Sequence, residues 1–195
     1  RYSHDESDLA WADVYIVTTP TPIDQHKRPD LRPLLGATET IARYLRERGI
    51  SSTVFKTMTA NEKIHIEEGT GLVICLGGDG TVLYCARYLH SYGIPILAVN
   101  LGTFGFVTEI SVDEWPEAPA LFLEGKHAIS RRLMIRTTVI RDQKRVYSAH
   151  ALNEMVVASS GISKLINMAL KVDDKEAGFF RSDGIIIATP TGSTG

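Results

Sequence analysis

Apolar and polar residues are arranged in two different ways along the chain, with a change near residue 128. Before that point, short continuous apolar runs are separated by stretches with apolar residues at helical spacing. This pattern is typical of buried parallel strands and the helices that connect them. Strands are predicted at 13–19, 53–56, 72–76 and 94–99, and helices at 30–49, at 81–91 and from about 113.

From residue 129 onward apolar and polar residues alternate, and the polar clusters DQKR and DDKEAG separate the runs. This alternation predicts antiparallel hairpins. We therefore predict an α/β fold class, with a Rossmann-like, mostly parallel sheet in an N-terminal domain over residues 1–128. The start of an antiparallel β-sandwich domain is predicted over residues 129–195. We expect that second domain to be truncated and the chain to be a piece of a longer protein.

The composition argues against several classes of protein. The 195 residues carry 21 Lys and Arg against 23 Asp and Glu, a balance that disfavours a polycationic nucleic-acid binder. Cys75 and Cys85 form neither a disulfide framework nor a zinc-ligand pattern. Because no apolar run approaches about 18 residues, we expect no membrane contact and a cytoplasmic globular protein.

The most informative motif is GGDGT at 77–81, between a predicted buried strand and a predicted helix. Its three glycines allow positive φ angles and the close approach of a bound group. The following helix directs free N–H groups and its positive dipole end toward the same place. Such a loop predicts a phosphate site. It is not a Walker A loop, because no lysine follows the glycines, and it lacks the GxGxxG spacing of dinucleotide-binding loops.

Asp79 is unusual within this loop, because a carboxylate repels phosphate. Either of two functional roles would explain it: binding a metal ion, or removing a proton from an attacking hydroxyl group. The structural alternative is an aspartate that hydrogen-bonds the backbone of its own turn. The residue types alone leave these possibilities open.

Motifs in one order over about residues 45–195 resemble those of the NAD kinases. They are GGDGT, the segment IPILAVNLGTFGFVTE, the Asn153-Glu154 pair in ALNEMVV, and the stretch RSDGIIIATPTGSTG. Lipid kinases that share the GGDGT loop usually place Asn-Glu directly after it. This chain has Val82-Leu83-Tyr84 there, which disfavours the lipid-kinase branch.

The resemblance implies a reaction and its participants. A phosphoryl group would pass from ATP or polyphosphate to the 2′-hydroxyl of the adenosine ribose of NAD and give NADP. Mg²⁺ or Mn²⁺ would be the divalent cation, and the enzyme would be a homo-oligomer. No protein residue is assigned as a metal ligand, and no nucleic acid is expected as a partner.

The same resemblance assigns roles by motif position. Asp79 would be the catalytic base that activates the ribose hydroxyl. Phosphates would be held by Gly77, Gly78, Gly80 and Thr81. Phe106 would lie against adenine, while Asn153 and Glu154 would hold ribose hydroxyls and the nicotinamide end. The remaining dinucleotide contacts would come from Asp183, Thr191, Ser193 and Thr194.

Each assignment has a plainer alternative. Phe106 could be a core residue, and Asn153 and Glu154 could face solvent within a β run. Asp183-Gly184 could be only a bulge or a turn, and the Thr-Pro-Thr-Gly-Ser-Thr stretch could be only a loop. At the level of function, the alternatives are another GGDGT kinase that acts on a lipid or sugar phosphate, or a catalytically inert NAD-binding fragment.

Residues 8–44 resemble a different family, the nucleotide-sugar dehydrogenases, in the strand, Pro-Thr-Pro loop and helix of their NAD-binding domain. The glycine fingerprint and the catalytic cysteine region of a dehydrogenase are absent from the sequence. We therefore assign no dehydrogenase activity to this segment, which we interpret as a fusion or a joining artefact.

Overall fold

The computed structural model describes residues 14–18, 32–56, 66, 68–101, 105–108, 110–111, 114–115, 117–126, 128–161 and 164–193. The chain divides into two compact units, residues 1–131 and 132–195. None of the helices in the described ranges is long and apolar enough to cross a bilayer.

The first unit is a parallel five-stranded sheet with helices between its strands, in the order β2-β1-β3-β4-β5. This confirms the predicted α/β class with a parallel N-terminal sheet. The elements are β1 (Val14–Thr18), α1 (Arg32–Glu47), β2 (Ser52–Lys56), β3 (Leu72–Leu76), α2 (Asp79–Leu89), β4 (Ile96–Asn100), β5 (Ile110–Ser111) and α3 (Glu117–Leu123).

Strand β3 lies in the middle of the sheet and all five of its residues are buried. Leu72, Ile74 and Leu76 pack into the cluster that contains the buried face of α1. Val73 and Cys75 face the other way and pack against α2. Because both faces of β3 are covered, its sequence is a continuous apolar run rather than an alternating one.

The segment that resembles the dehydrogenases, residues 8–44, contains β1 and most of α1. Strand β1 is part of the sheet, and α1 packs into the same apolar cluster as the sheet. Strand β1 pairs in parallel with β2 on one side and with β3 on the other, so that Ile16 lies opposite Val54 and Ile74. Apolar residues at helical spacing over 31–45, Leu35 among them, predict one inward face for α1, but Leu35 is exposed. The sequence also predicts Asp30 as the N-cap of this helix, a position outside the described residues.

Cys75 and Cys85 are completely buried on the α2 side of the sheet. A hydrogen bond with the Cys85 thiol, together with burial, raises the pKa of Cys75 well above its ordinary range. Both residues are free thiols that act as small apolar core residues.

The second unit is built from antiparallel pairs of strands. Its elements are β6 (Ile135–Arg141), β7 (Lys144–Ala151), β8 (Glu154–Ala158), β9 (Ile166–Val172), β10 (Lys175–Ser182) and β11 (Gly184–Ala188). Strands β6 and β7 form a hairpin, as do β9 and β10, and β8 pairs with the more distant β11. Large apolar residues such as Ile140, Phe179 and Ile186 stay exposed, because two-stranded ribbons bury little surface.

The two hairpin turns are shorter than their polar clusters suggested. Each turn has only two residues, Asp142-Gln143 and Asp173-Asp174, and all four have positive φ angles. Positive φ at both central residues matches the right-handed twist of the flanking strands, which allows the strands to resume at once. The alternating sequences at 146–158 and 179–188 each predict one continuous strand. The structure divides each into two strands, with breaks at Leu152-Asn153 and at Asp183.

Gly36 inside α1 and Gly49 just after its end allow a paired test of where the backbone requires glycine. We expect Gly36→Ala to raise the free energy of unfolding by about 1 kcal/mol, because Gly36 is an exposed helical residue whose added Cβ would meet no described atom within 4 Å. The measurement is urea denaturation followed by circular dichroism.

The control is Gly49→Ala, which also adds a methyl group in open space but at a φ of +68°. Gly49 follows the end of α1, where its N–H donates to the Arg46 carbonyl and the Ile50 N–H donates to the Leu45 carbonyl. We expect a loss of about 1 kcal/mol there. Equal changes in both variants would contradict this account of the helix end.

Candidate functional site

The GGDGT loop connects β3 to α2. Gly77 has a φ of +152°, and its N–H donates to the Val99 carbonyl of β4 at 3.1 Å. Gly78 is the N-cap of α2 with a φ of −98°, and no side chain in the described part of the chain caps the helix. Of the three glycines, only Gly77 therefore has the positive φ that the sequence suggested for all of them.

Helix α2 begins at Asp79, so that Asp79, Gly80 and Thr81 form its first turn. Gly80 is exposed, and a Cβ there would meet no described atom within 4 Å. The Thr81 side chain is buried, and its N–H donates to the Gly78 carbonyl. The start of a helix generally offers N–H groups to a bound anion, and the exposed Gly80 leaves this turn accessible to one.

The Asp79 carboxylate joins this turn to a distant segment, residues 105–108. Its Oδ2 accepts a hydrogen bond from the Phe106 N–H at 2.7 Å. Its Oδ1 accepts from the N–H groups of Val107 and Thr108 at 3.0 and 3.2 Å, and from the Thr108 hydroxyl at 3.3 Å. The structural alternative, an aspartate bonded within its own turn, is wrong, because these partners lie 27 to 29 residues away.

Two opposing influences set the pKa of Asp79. Burial raises it, whereas hydrogen bonds from Val107, Phe106 and Thr108 lower it, and together these bonds outweigh the burial. The pKa of Asp79 is therefore below the ordinary aspartate value, and the group is a carboxylate at neutral pH.

Gly105 allows the close approach of the two segments. A Cβ at this position would lie 2.8 Å from Asp79 Cγ and would overlap both Asp79 Oδ1 and Thr108 Oγ1. The neighbouring Phe106 side chain is 53% exposed. The alternative of Phe106 as a core residue is therefore wrong, because its side chain is open to solvent.

A second group of polar residues lies in the second unit, around Asn153. The side-chain Oδ1 of Asn153 is buried and has no hydrogen-bond partner within the described ranges. A buried polar atom without a partner costs free energy, and such an atom calls for an explanation such as a ligand. The alternative in which Asn153 faces solvent is therefore wrong for its side-chain oxygen.

The turn at 189–193 lies against Asn153. The Thr189 N–H donates to the Asn153 carbonyl at 2.8 Å, and the Thr189 hydroxyl donates to the Leu152 carbonyl. A Cβ on Gly192 would come within 2.7 Å of Asn153 Cα. Thr191 is buried, and its hydroxyl accepts a hydrogen bond from Arg132 at 3.5 Å.

The other candidates of this unit are placed differently. Glu154 is exposed and lies opposite Ala188 at one end of the β8–β11 ribbon. Asp183 is exposed at the other end, where its carbonyl accepts from the Ser159 N–H. The ribbon thus separates Asp183 from Asn153. Ser193 is exposed with its hydroxyl on the Pro190 carbonyl, and Thr194 lies outside the described residues.

Sequence reasoning missed Gly105, Thr108, Thr189 and Gly192, which make or permit the contacts described above. Gly105 and Thr108 stand in the segment that carries Phe106, and Thr189 and Gly192 stand in the segment that carries Thr191. The glycines within these motifs were the available signal, because a glycine often marks a close backbone approach.

A parallel sheet with a glycine loop leading into a helix defines an α/β protein of the kind that holds phosphate groups. The comparisons name the family. A model of the ATP-NAD kinase N-terminal domain matches residues 29–127, and one of the ATP-NAD kinase C-terminal domain matches residues 152–195. The chain therefore belongs to the NAD kinase family.

Curated relatives and solved structures agree with this assignment. An NAD kinase of Treponema denticola is 41% identical over 79% of this chain and 54% of its own length. An NAD kinase of Geotalea daltonii is 34% identical over 83% of this chain and 59% of its own length. The chain thus spans little more than half the length of these relatives.

Two solved structures share the fold. The crystal structure of an NAD kinase from Archaeoglobus fulgidus in complex with ATP has a TM-score of 0.64 and 26% identity, over 93% of this chain and 63% of its own. Yeast NADH kinase complexed with NADH has a TM-score of 0.68 and 21% identity, over 93% of this chain and 58% of its own.

The family match begins earlier in the chain than the motifs did. Because the N-terminal model starts at residue 29, residues 29–44, which include most of α1, belong to the NAD kinase match. The match therefore overlaps the segment that resembles the nucleotide-sugar dehydrogenases.

Proposed function

We propose that this chain carries the catalytic apparatus of an NAD kinase, which transfers a phosphoryl group from ATP to the adenosine-ribose 2′-hydroxyl of NAD. The observation that carries the proposal is the Asp79 carboxylate, ionised and fixed by its hydrogen bonds in the first turn of α2. An anion site and a proton acceptor are thereby adjacent, as phosphoryl transfer to a hydroxyl requires.

The Asp79 oxygens differ in their capacity to accept a proton. Oδ1 accepts three hydrogen bonds, whereas Oδ2 accepts one and has a second lone pair available. We assign the base role to Oδ2. The proton of the ribose hydroxyl passes to Oδ2, the ribose oxygen bonds to the terminal phosphorus of ATP, and ADP leaves.

The phosphates would lie against the first turn of α2 and the loop before it. Gly77, Gly78 and Gly80 present backbone without side chains, and the buried Thr81 anchors the turn. Among the described residues, no three His, Cys, Asp or Glu side chains are grouped so that they could hold a metal ion. The expected Mg²⁺ or Mn²⁺ would therefore be held mainly by ATP phosphates and water, as is usual for Mg²⁺.

Within each unit, exposed or unpaired groups are candidates for contacts with the dinucleotide. The exposed Phe106 ring would stack on adenine. The buried Asn153 Oδ1 would accept a hydrogen bond from a ribose hydroxyl or the nicotinamide amide. Glu154, Asp183, Thr191, Ser193 and Thr194 would supply further polar contacts.

The test is calorimetry of the 195-residue chain with NAD, followed by an assay of NADP formation with ATP or polyphosphate. We expect binding of NAD and formation of NADP. Diacylglycerol and fructose 6-phosphate serve as competing acceptors. Phosphorylation of either in place of NAD would contradict the proposal, as would a failure to bind NAD. Binding without NADP formation would identify an inert fragment.

The resemblance to the NAD kinases leads us to propose a homo-oligomer as well. Light scattering on the calorimetry samples measures its mass, and a monomer at the highest concentration would overturn this part of the proposal.

A further inference from the structure

We propose that Thr189 is a positioning residue of the dinucleotide site, which holds Asn153 so that its side-chain oxygen is ready for the ligand. This inference rests on the proposed function. This role requires no contact between Thr189 and NAD, because the hydroxyl and the backbone of Thr189 are hydrogen-bonded to the residues around it.

The Thr189 hydroxyl is fully used within the protein. It donates to the Leu152 carbonyl at 2.5 Å and accepts from the N–H groups of Thr191 and Gly192 at 3.1 and 3.2 Å. A hydroxyl offers one donor and two acceptor positions, so all three are occupied. The residue is only 1% exposed, so water does not compete for these positions.

These bonds join two segments that lie 37 residues apart in the sequence. The first is the interruption between β7 and β8, which contains Leu152 and Asn153. The second is the turn after β11. The backbone strengthens the same connection, since the Thr189 N–H donates to the Asn153 carbonyl and the Ser193 N–H donates to the Thr189 carbonyl.

The connection has a consequence for Asn153. Thr189 donates hydrogen bonds to the carbonyl groups of Leu152 and Asn153, and Glu154 is paired with Ala188 in the β8–β11 ribbon. Because Gly192 has no side chain, the turn can lie close to Asn153 Cα. The Asn153 Oδ1 stays buried without a partner in the described part of the chain. A polar group held in this way is prepared to accept a hydrogen bond at little further entropic cost.

Replacing the hydroxyl by a methyl group tests the proposal. In Thr189→Val the shape is retained but the Thr191 and Gly192 N–H groups lose their acceptor. We expect these two amides to exchange with solvent at least about fivefold faster by NMR, whether or not NAD is present. Unchanged exchange would overturn the inference independently of what the protein binds.

The second measurement is NAD affinity by calorimetry. We expect Thr189→Val to weaken NAD binding about tenfold and Thr189→Ser, which keeps the hydroxyl, to stay within about twofold of the unmodified chain. A tenfold loss in Thr189→Ser would overturn the inference, and this variant remains informative if the valine variant does not fold. The matched control is Thr138→Val on the exposed strand β6, where we expect no change.

A double-mutant cycle separates positioning from general stability. If Thr189 acts through Asn153, Thr189→Val weakens NAD binding by less than about twofold in an Asn153→Ala background. Additive losses would mean that the two residues act separately and would overturn the inference. Failure of the unmodified chain to bind NAD would instead overturn the proposed function, and the amide exchange result then still decides whether Thr189 holds the turn.

Discussion

Asp79→Asn is expected to reduce the rate of NADP formation at least about a hundredfold, because the variant lacks the oxygen that would accept the ribose proton. The fold of the first unit should persist, since Asp79 is only partly buried and lies outside the apolar clusters of that unit. The measurement is the initial rate of NADP formation at saturating NAD and ATP. Near-normal activity would remove Asp79 from the base role.

The structure shows why this variant needs a further control. An asparagine could keep its oxygen toward Val107 and Thr108, but its NH₂ group would then face the Phe106 N–H, and two donors would oppose each other. Part of the loss could therefore come from movement of the segment 105–108. Thr108→Val removes one hydrogen bond to Asp79 and keeps the carboxylate.

We expect Thr108→Val to lose only about threefold to tenfold in rate, because this 3.3 Å bond is one of four to the carboxylate and should contribute about 1 kcal/mol, as an ordinary hydrogen bond does. A loss as large as that of Asp79→Asn would show that the anchoring of the segment, rather than proton removal, limits the reaction. Asp173→Asn at the exposed turn between β9 and β10 controls for the loss of one negative charge and should leave the rate unchanged.

The pH dependence has a defined direction. Because the pKa of Asp79 is lowered, the active carboxylate persists to lower pH than an ordinary aspartate would. Activity that depends on it is retained above that pKa and is lost only as the pH falls through it. Thr108→Val removes one of the bonds that lower the pKa, so the acid limb of its rate profile should move to higher pH.

Gly192→Ala is expected to destabilise the second unit by about 3 kcal/mol and to weaken NAD binding at least tenfold. The added Cβ would lie 2.5 Å from the carbonyl carbon of Asn153 and 2.7 Å from its Cα. These are backbone atoms held by the hydrogen bond from Thr189, so they cannot yield as a flexible side chain would. The turn must therefore move away from Asn153, which disturbs the site itself.

Thermal unfolding and calorimetry with NAD measure the two effects. The matched control is Gly161→Ala in the same unit, where the nearest atoms belong to the long, flexible Lys164 side chain and begin at 3.1 Å. That variant should stay within about 0.5 kcal/mol of the unmodified chain. If Gly192→Ala is equally harmless, the close approach of the turn to Asn153 has no energetic significance.

Several features were predictable from the sequence because they depend on neighbouring residues. The continuous apolar run of β3 predicted a buried central strand, and the loop between that strand and α2 predicted an anion site. The alternation after residue 129 predicted antiparallel hairpins, since side chains of a strand point to opposite faces in turn. The motifs, taken together, identified the family.

Other features depended on how distant segments meet. No local pattern revealed that Asp79 would bond the backbone at 106–108, or that β8 would pair with β11 rather than with its sequence neighbour. Local spacing also could not show that Thr189 would support Asn153, or that the ribbon would separate Asp183 from it.

The sequence by itself determined the strand and helix types, the glycine loop and the membership of the NAD kinase family. Only the tertiary structure decided which oxygens of Asp79 are occupied, which glycines are sterically required, and which threonine supports Asn153. The physical reason is that periodicity reports whether a residue is buried, whereas hydrogen-bond partners are set by the path of the whole chain.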